Sequence, residues 1–238
     1  MIISAHPDDD TLVGGTVAAL AARGWKVHEF VCTDGSNGKP NARERTAMMA
    51  NNRRKEIDLF SRDVGMEPPR IRVGGNILLS PTEDIVLELA AYLREVRPDV
   101  CILLNRGDYH FEHRAAHAIG LRAIEIAFRS TLLHLGARLE HGIILETDGL
   151  NVLANPLILF DISETYAVKM RAMRAAYAER LGRDLLRFDE GLAMLRGGRA
   201  KSTYAEAFRI VNPPWYRLTA VSAGILAEFV AIGSPRTP

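Results

Sequence analysis

The sequence begins MIISAHPDDDTLVGGTVAALAARG (residues 1–24), where a short apolar run passes through an acidic turn into a helical pattern. Met1–Ala5 predicts a strand, because it is short, apolar and followed at once by polar residues. Apolar side chains then recur at helical spacing over Thr11–Arg23, and Gly24 stands where a helix stop is expected. The stretch therefore predicts a strand–turn–helix unit whose turn holds His6 and three aspartates.

The same alternation of short apolar runs and longer helical patterns continues along the chain. The remaining predicted strands are Val27–Cys32, Ile71–Val73, Val100–Leu104, Gly142–Leu145 and Leu157–Ile162. Helical patterns cover 43–64, Thr82–Val96, 114–129 and most of 163–208. Strands that are apolar throughout and alternate with helices predict a mostly parallel sheet covered on both faces, an α/β fold of the Rossmann type. Since no repeat or linker interrupts the pattern, we expect one domain over residues 1–238 with a helical C-terminal third.

Composition argues against several classes of protein. The chain has 238 residues, 47% of them hydrophobic, with 30 basic and 29 acidic residues and a formal net charge of +1. This balance predicts a globular core and offers no basic field for nucleic acid. With no run of about 18 apolar residues and an N-terminus that turns polar after five, we expect neither a membrane-spanning helix nor a signal peptide. The expectation is a soluble, cytoplasmic protein without nucleic-acid or membrane partners.

Polar residues concentrate at three turns that follow predicted strands, which is where open α/β sheets bind ligands. These turns are HPDDD (residues 6–10), TDG (residues 33–35) and DYHFEH (residues 108–113). Aspartates at a helix start can simply cap it, but capping does not account for a histidine beside three acids. Clustered carboxylates raise one another's pKa unless a cation neutralises them. Histidine and aspartate from one loop with histidine from another would make the three-ligand set of a catalytic zinc site.

The third turn contains more histidines than such a site requires. His110 and His113 could supply one ligand and one free catalytic imidazole. His113 and His117 are four residues apart and could instead form a metal pair on one helix face. A single histidine on a helix is usually structural, and that is the interpretation we favour for His117.

Two of these motifs resemble those of a known family. SAHPDDDTLVGGT (residues 4–16) closely resembles the first motif of the PIG-L/LmbE-like deacetylases, commonly AHPDDE before a glycine-rich helix start. HFEHRAA (residues 110–116) resembles the family's second histidine motif, commonly HPDH. The resemblance covers roughly residues 1–210, with smaller matches at TDGSNG (33–38), RRKE (53–56) and TYAEAF (203–208).

The resemblance implies a Rossmann-like fold and zinc-dependent hydrolysis of an N-acetyl group on an amino sugar. Its substrate would be an N-acetylglucosamine-type glycoside, a thiol precursor or an antibiotic intermediate. By position it implies that His6, Asp9 and His113 bind zinc or another divalent transition metal. It further implies that Asp8 is the general base and that His110 stabilises the oxyanion or protonates the leaving amine.

The chain departs from the family pattern at two places behind the implied ligands. Asp10 stands where glutamate is common; because it is not an implied ligand, we expect activity to survive. Phe111 replaces a proline, and Glu112 replaces the aspartate that would orient His110. Glu112 keeps a carboxylate beside the imidazole but changes its reach.

Signals for substrate binding are weaker than those for the metal. Arg53 could lie at the mouth of the site and bind sugar hydroxyls, or form a surface ion pair with Glu56. Asp108 and Tyr109 could each face the substrate.

Two rival functions fit part of the sequence. A catalytically degenerate relative could bind zinc with a sugar or a partner protein. A haloacid-dehalogenase-type phosphatase would use the aspartates of 8–10 with Asp108 and Glu112 as magnesium ligands, which leaves His6 without a role. A homo-oligomer is also open, because the apolar stretches Leu132–Leu135 and Val221–Ile232 could be interfaces or core.

Overall fold

The computed structural model describes residues 1–36, 47–72 and 78–234. Its centre is one seven-stranded sheet in the order β3-β2-β1-β4-β5-β7-β6. The strands are β1 (Ile2–Ser4), β2 (Glu29–Val31), β3 (Arg70–Ile71), β4 (Val100–Leu103), β5 (Ile143–Thr147), β6 (Ile158–Asp161) and β7 (Ala205–Ile210). The first five run parallel, and β7 pairs antiparallel with both β5 and β6. The predicted mostly parallel α/β fold is therefore confirmed.

Helices cover both faces of the sheet. They are α1 (Gly14–Ala21), α2 (Ala47–Val64), α3 (Glu83–Val96), α4 (Phe111–Phe128), α5 (Tyr166–Ala200) and α6 (Ala220–Ile232). Neighbouring strand residues point to opposite faces, so Ile2 joins one buried cluster and Ile3 the other. Burial on both faces explains why these strands are apolar throughout rather than alternating. No helix in the described part of the chain has the length and apolar character needed to cross a membrane.

The first predicted helix begins later than its pattern indicated. Residues Asp9–Val13 form a 3-10 helix, and α1 starts at Gly14. A side chain at Gly15 would lie 2.7 Å from Ile162, so the helix approaches this neighbouring segment closely only because residue 15 is glycine. The predicted helix over 43–64 is observed from Ala47; its residues 43–46, and Val73 of the predicted third strand, lie outside the described residues.

Two C-terminal elements differ from prediction. Residues 205–208 belonged to a mostly helical prediction but lie in β7, because AEAFRI pairs with both β5 and β6 and its first four residues are buried there. Ala220–Ile232 forms α6, although its apolar residues are not confined to one face. Helix α5 also contains one residue with non-helical backbone angles, Gly182 (φ 64°, ψ 176°), which divides it into two segments.

The parallel half of the sheet determines where the polar turns meet. Strands β2, β1, β4 and β5 are neighbours that point the same way. Their carboxyl ends therefore lie along one edge, and the turns after them share that edge. The HPDDD turn, the TDG turn and the DYHFEH turn are brought together by this topology.

Candidate metal centre

Three histidines converge at this edge of the sheet. His6 follows β1, while His110 and His113 lie at the start of α4, just after the turn that follows β4. One nitrogen from each of the three lies within 4.8 Å of the other two. The ring centroids are 5.0 Å apart for His6 and His110, and 5.5 Å apart for His6 and His113. Imidazole nitrogens from two loops thus surround a space in which a transition metal could be bound.

Asp9 lies between His6 and His113. Its Oδ2 accepts hydrogen bonds from the backbone N–H groups of Ala5 (2.8 Å) and His6 (2.9 Å). Its Oδ1 lies 3.2 Å from Nε2 of His113, and its Oδ2 lies 3.6 Å from Nδ1 of His6. Burial opposes ionisation, but both imidazoles lower the pKa of Asp9 below its usual range. An anionic oxygen and two imidazole nitrogens at these positions fit zinc chemically.

Asp108 lies behind His113. Its Oδ2 is 3.2 Å from Nδ1 of His113 and accepts a hydrogen bond from the Leu150 backbone N–H at 2.8 Å. Its Oδ1 accepts the His110 backbone N–H at 2.9 Å. Asp108 is 1% exposed and does not line the cavity described below. Asp108 was predicted to face the substrate; in the structure it contacts His113 instead of lining the cavity, a position from which carboxylates commonly orient metal-binding histidines.

Glu112 contacts a different histidine from the one expected. Its Oε2 lies 2.7 Å from Nε2 of His6, and its Oε1 accepts the Leu79 backbone N–H at 3.0 Å. Burial alone would lower the pKa of His6, but Asp9 and Glu112 together raise it to about 10. The carboxylate predicted to orient His110 thus holds His6 instead.

His110 has a different environment from the other two histidines. Its Nδ1 is buried and has no hydrogen-bond partner among the described residues, and its ring stacks on Phe111 with the centroids 5.4 Å apart. Burial and the neighbouring imidazoles of His113 and His6 lower the pKa of His110.

His117, in contrast, is buried with its Nδ1 2.9 Å from the carbonyl oxygen of Leu104. It lies outside the histidine cluster found among the described residues, in keeping with a structural role.

Asp10 lies in the interior rather than in the cavity. It is fully buried, and the Tyr177 hydroxyl donates a 3.4 Å hydrogen bond to it. Burial and the nearby carboxyl of Glu29 raise the pKa of Asp10. Burial also raises the pKa of Glu29 to about 8, although the Ser4 hydroxyl donates to it at 2.5 Å. The third aspartate of the motif therefore forms part of a buried acidic pair.

A cavity of about 350 Å³ opens onto the histidine cluster, a size typical of small-molecule sites. Its walls include Asp8, which precedes the predicted ligand Asp9. Arg53 also lines the cavity while pairing with Glu56 at 2.8 Å, so both interpretations of Arg53 fit its position. Tyr109 is 66% exposed and does not line this cavity.

One part of the cavity lining was not predicted from the sequence. It consists of Met173, Leu185, Phe188 and Asp189, all on α5. Apolar residues in a long helical pattern are usually core, so no local signal distinguishes those that face a ligand. Their contribution depends on the packing of α5 against the N-terminal half.

Comparison with known proteins gives a consistent result. The family model described as PIG-L, GlcNAc-PI de-N-acetylase, matches residues 1–124. A 1D-myo-inositol 2-acetamido-2-deoxy-alpha-D-glucopyranoside deacetylase from Thermobifida fusca (strain YX) is 30% identical over 151 residues, which are 52% of this chain and 53% of that protein. The alignment thus spans about half the length of this curated relative.

Two solved structures show the same fold. N,N'-diacetylchitobiose deacetylase from Pyrococcus horikoshii has a TM-score of 0.74 at 23% identity, covering 92% of this chain and 85% of that one. The 4-carboxy-2-hydroxymuconate hydratase from Pseudomonas putida KT2440 has a TM-score of 0.75 at 20% identity, covering 92% and 98%. At these identities the likeness concerns the fold alone, and the reaction must be argued from the site.

Proposed function

Because this chain belongs to the PIG-L family, we propose that it is a metal-dependent hydrolase that removes an N-acetyl group from an amino-sugar-containing small molecule. One observation carries the proposal. The two histidine motifs, about 100 residues apart in sequence, meet around one point at the floor of a cavity. The curated relatives bear the names of acetamido-sugar deacetylases, which gives the amide and the sugar as the substrate class.

In this proposal His6, Asp9 and His113 hold the metal. The set of two imidazoles and one carboxylate fits zinc, and it leaves a coordination position for water. A bound zinc ion would acidify water and polarise the amide carbonyl. Asp108 and Glu112 support the set by holding His113 and His6 in position.

Asp8 and His110 carry the proton chemistry. Asp8 lines the cavity beside the proposed ligands and would take a proton from the attacking water. The same carboxyl group can then return that proton to the leaving amine. His110 lies across the cluster with a lowered pKa, so its neutral ring can donate a hydrogen bond to the oxyanion.

Of the two rival functions, the phosphatase fits this arrangement less well. A haloacid-dehalogenase-type phosphatase would need Asp108 and Glu112 as magnesium ligands, yet their carboxylates contact His113 and His6. A degenerate binding protein would share the metal ligands but release no acetate. A homo-oligomer and a cytoplasmic location stay predictions from the sequence.

The test is acetate release from a panel of acetamido sugars by the zinc-loaded protein. Asp8→Asn should keep its zinc and lose about 100-fold or more in turnover, the usual size of an acid–base contribution. His6→Ala, Asp9→Ala and His113→Ala should each weaken zinc binding. His134→Ala is the matched control, because His134 is exposed on a short 3-10 helix.

Three results would contradict the proposal. Full turnover by Asp8→Asn would remove Asp8 from the role of base. Zinc binding without acetate release from any acetamido sugar would favour the binding protein. Magnesium-dependent release of phosphate would favour the phosphatase.

A further inference from the structure

The α5 wall of the cavity is apolar and lies outside the part of the chain that the family model matches. Leu185 and Phe188 are three residues apart on the segment of α5 after Gly182, so they share one helix face. Met173, on the first segment, lines the same cavity. Leu150, in the loop after β5, extends the apolar surface. These side chains face the same space as the histidine cluster.

The acidic group on this wall, Asp189, is paired through one of its two carboxylate oxygens, and its buried Oδ2 has no hydrogen-bond partner among the described residues. Asp189 lines the cavity, but its Oδ1 lies 2.7 Å from Nζ of Lys169. Lys169 is buried and also contacts Glu206 at 3.0 Å. The cation is therefore shared between two carboxylates, and it holds Oδ1 of Asp189 by a charge-assisted contact. The side chains that this wall offers to a ligand are mainly hydrocarbon.

Polar residues line the same cavity. Asp34 and Ser36 lie there, in the turn after β2, and Arg53 lies on α2. Arg53 is only partly buried and keeps a guanidinium group at the cavity surface. A molecule that fills the space would thus meet both polar groups and hydrocarbon side chains.

Phe188 leaves part of its apolar surface accessible at the cavity. It is 38% exposed although it lines a cavity. Covering apolar area of this kind is favourable in proportion to the area removed from water. Apolar surface beside a few fixed polar groups is also the usual composition of a small-molecule site.

We propose that the substrate carries an apolar aryl or alkyl group that packs against Leu185 and Phe188 while its amide lies at the histidine cluster. The inference rests on the proposed function and adds a specificity-determining surface to it. The apolar group could extend from the aglycone or from the acyl carbon, because both leave the scissile amide in place. The two sources can be separated by experiment.

The experiment uses two matched series of N-acylglucosamine glycosides with the zinc-loaded protein. In one series the aglycone changes from methyl to hexyl and the acyl group stays acetyl. In the other the acyl group changes from acetyl to hexanoyl and the aglycone stays methyl. We expect kcat/KM to rise about tenfold or more on extension in one series, which identifies the position of the apolar group.

Variants on α5 show whether this wall causes the preference. Phe188→Ala and Leu185→Ala should each reduce the ratio of extended to short substrate, and together bring it to about 1. Leu195→Ala is the matched control, because Leu195 is an exposed leucine on the same helix that does not line the cavity. It should leave the ratio unchanged.

The outcomes separate this inference from the function beneath it. Turnover of every substrate with ratios near 1 would overturn the apolar site and leave the deacetylase intact. A ratio that survives the double variant would equally overturn it. If no substrate is turned over, the proposed function fails, and the inference is then decided by calorimetric affinities for the same compounds. Tighter binding of an extended compound that is lost in Phe188→Ala would support the apolar site. Equal affinities for extended and short compounds would contradict it.

Discussion

Asp108→Asn tests how the histidine cluster of the proposed metal site is held in position. Three N–H groups converge on this buried carboxylate, from the His110 backbone, the Leu150 backbone and the ring of His113. The carboxylate has two oxygens to receive them, whereas an amide has one oxygen and an NH₂ group that donates. In either orientation of the amide, at least one of the three groups then faces a donor.

The size of the effect follows from these contacts. One buried N–H without an acceptor lowers the free energy of unfolding by about 1–3 kcal/mol. Loss of the anionic partner of His113 should weaken zinc binding by about 10- to 100-fold, since the carboxylate fixes the ring and makes it a better ligand. On the free-energy scale that is about 1.4–2.7 kcal/mol.

The zinc dissociation constant is measured by competition with a chromophoric chelator, alongside denaturant unfolding of the metal-free protein. Tyr109→Phe is the control. Tyr109 is next to Asp108 in sequence, but its side chain is largely exposed and it is not a member of the histidine cluster found among the described residues. It should bind zinc like the parent. Parent-like zinc affinity in Asp108→Asn together with a raised KM would refute the reasoning and restore Asp108 to the substrate side.

Three further predictions follow from buried contacts. A methyl group at Gly149 would lie 2.0 Å from Oδ2 of Asp108, so Gly149→Ala should displace that carboxylate and weaken zinc binding in the same chelator assay. Arg94 donates to six backbone carbonyl oxygens between residues 126 and 136. Arg94→Met should therefore lower the free energy of unfolding, measured by urea titration, by about 3 kcal/mol or more. The control Arg97→Met, at an exposed position, should lower it by about 0.5 kcal/mol. Burial raises the pKa of Glu29 from 4.5 to about 8, so the folded state keeps a proton that the unfolded chain has released, and stability should fall as pH rises between these values. Glu29→Gln should flatten that fall in urea unfolding of the metal-free protein, and an unchanged slope would contradict the assignment.

The parallel half of the fold could be predicted because its strands are buried on both faces. Val100–Leu104 was predicted and Val100–Leu103 is observed, since continuous burial produces a continuous apolar run. Strand β7 gives no such signal. Its sequence AEAFRI contains helix-favouring alanine and glutamate, and it is a strand only because β5 and β6 pair with it. Tertiary pairing overrides local preference there.

At the candidate site, too, some features could be predicted from the sequence and others could not. The turns that carry His6 and His113 could be placed from strand order alone, because parallel neighbours end at one edge of the sheet. Which carboxylate serves which histidine could not be predicted. Glu112 contacts His6, which lies 106 positions earlier in the sequence. Asp108 contacts His113 and is also held by a hydrogen bond from the Leu150 backbone N–H, which comes from a different loop. Such pairings depend on distances of a few ångströms between loops.

The C-terminal half also supports the N-terminal motifs that carry the family resemblance. Arg196 on α5 forms a buried ion pair with Asp148 at 2.7 Å, and Asp148 in turn accepts the Leu153 backbone N–H at 2.6 Å. These contacts fix the loop whose Leu150 N–H holds Asp108 behind His113. Residues well beyond position 124 thus hold the carboxylate that contacts His113 at the proposed metal site. The same helix α5 provides the apolar wall, so a change in its packing should alter both the proposed substrate contact and the proposed metal site.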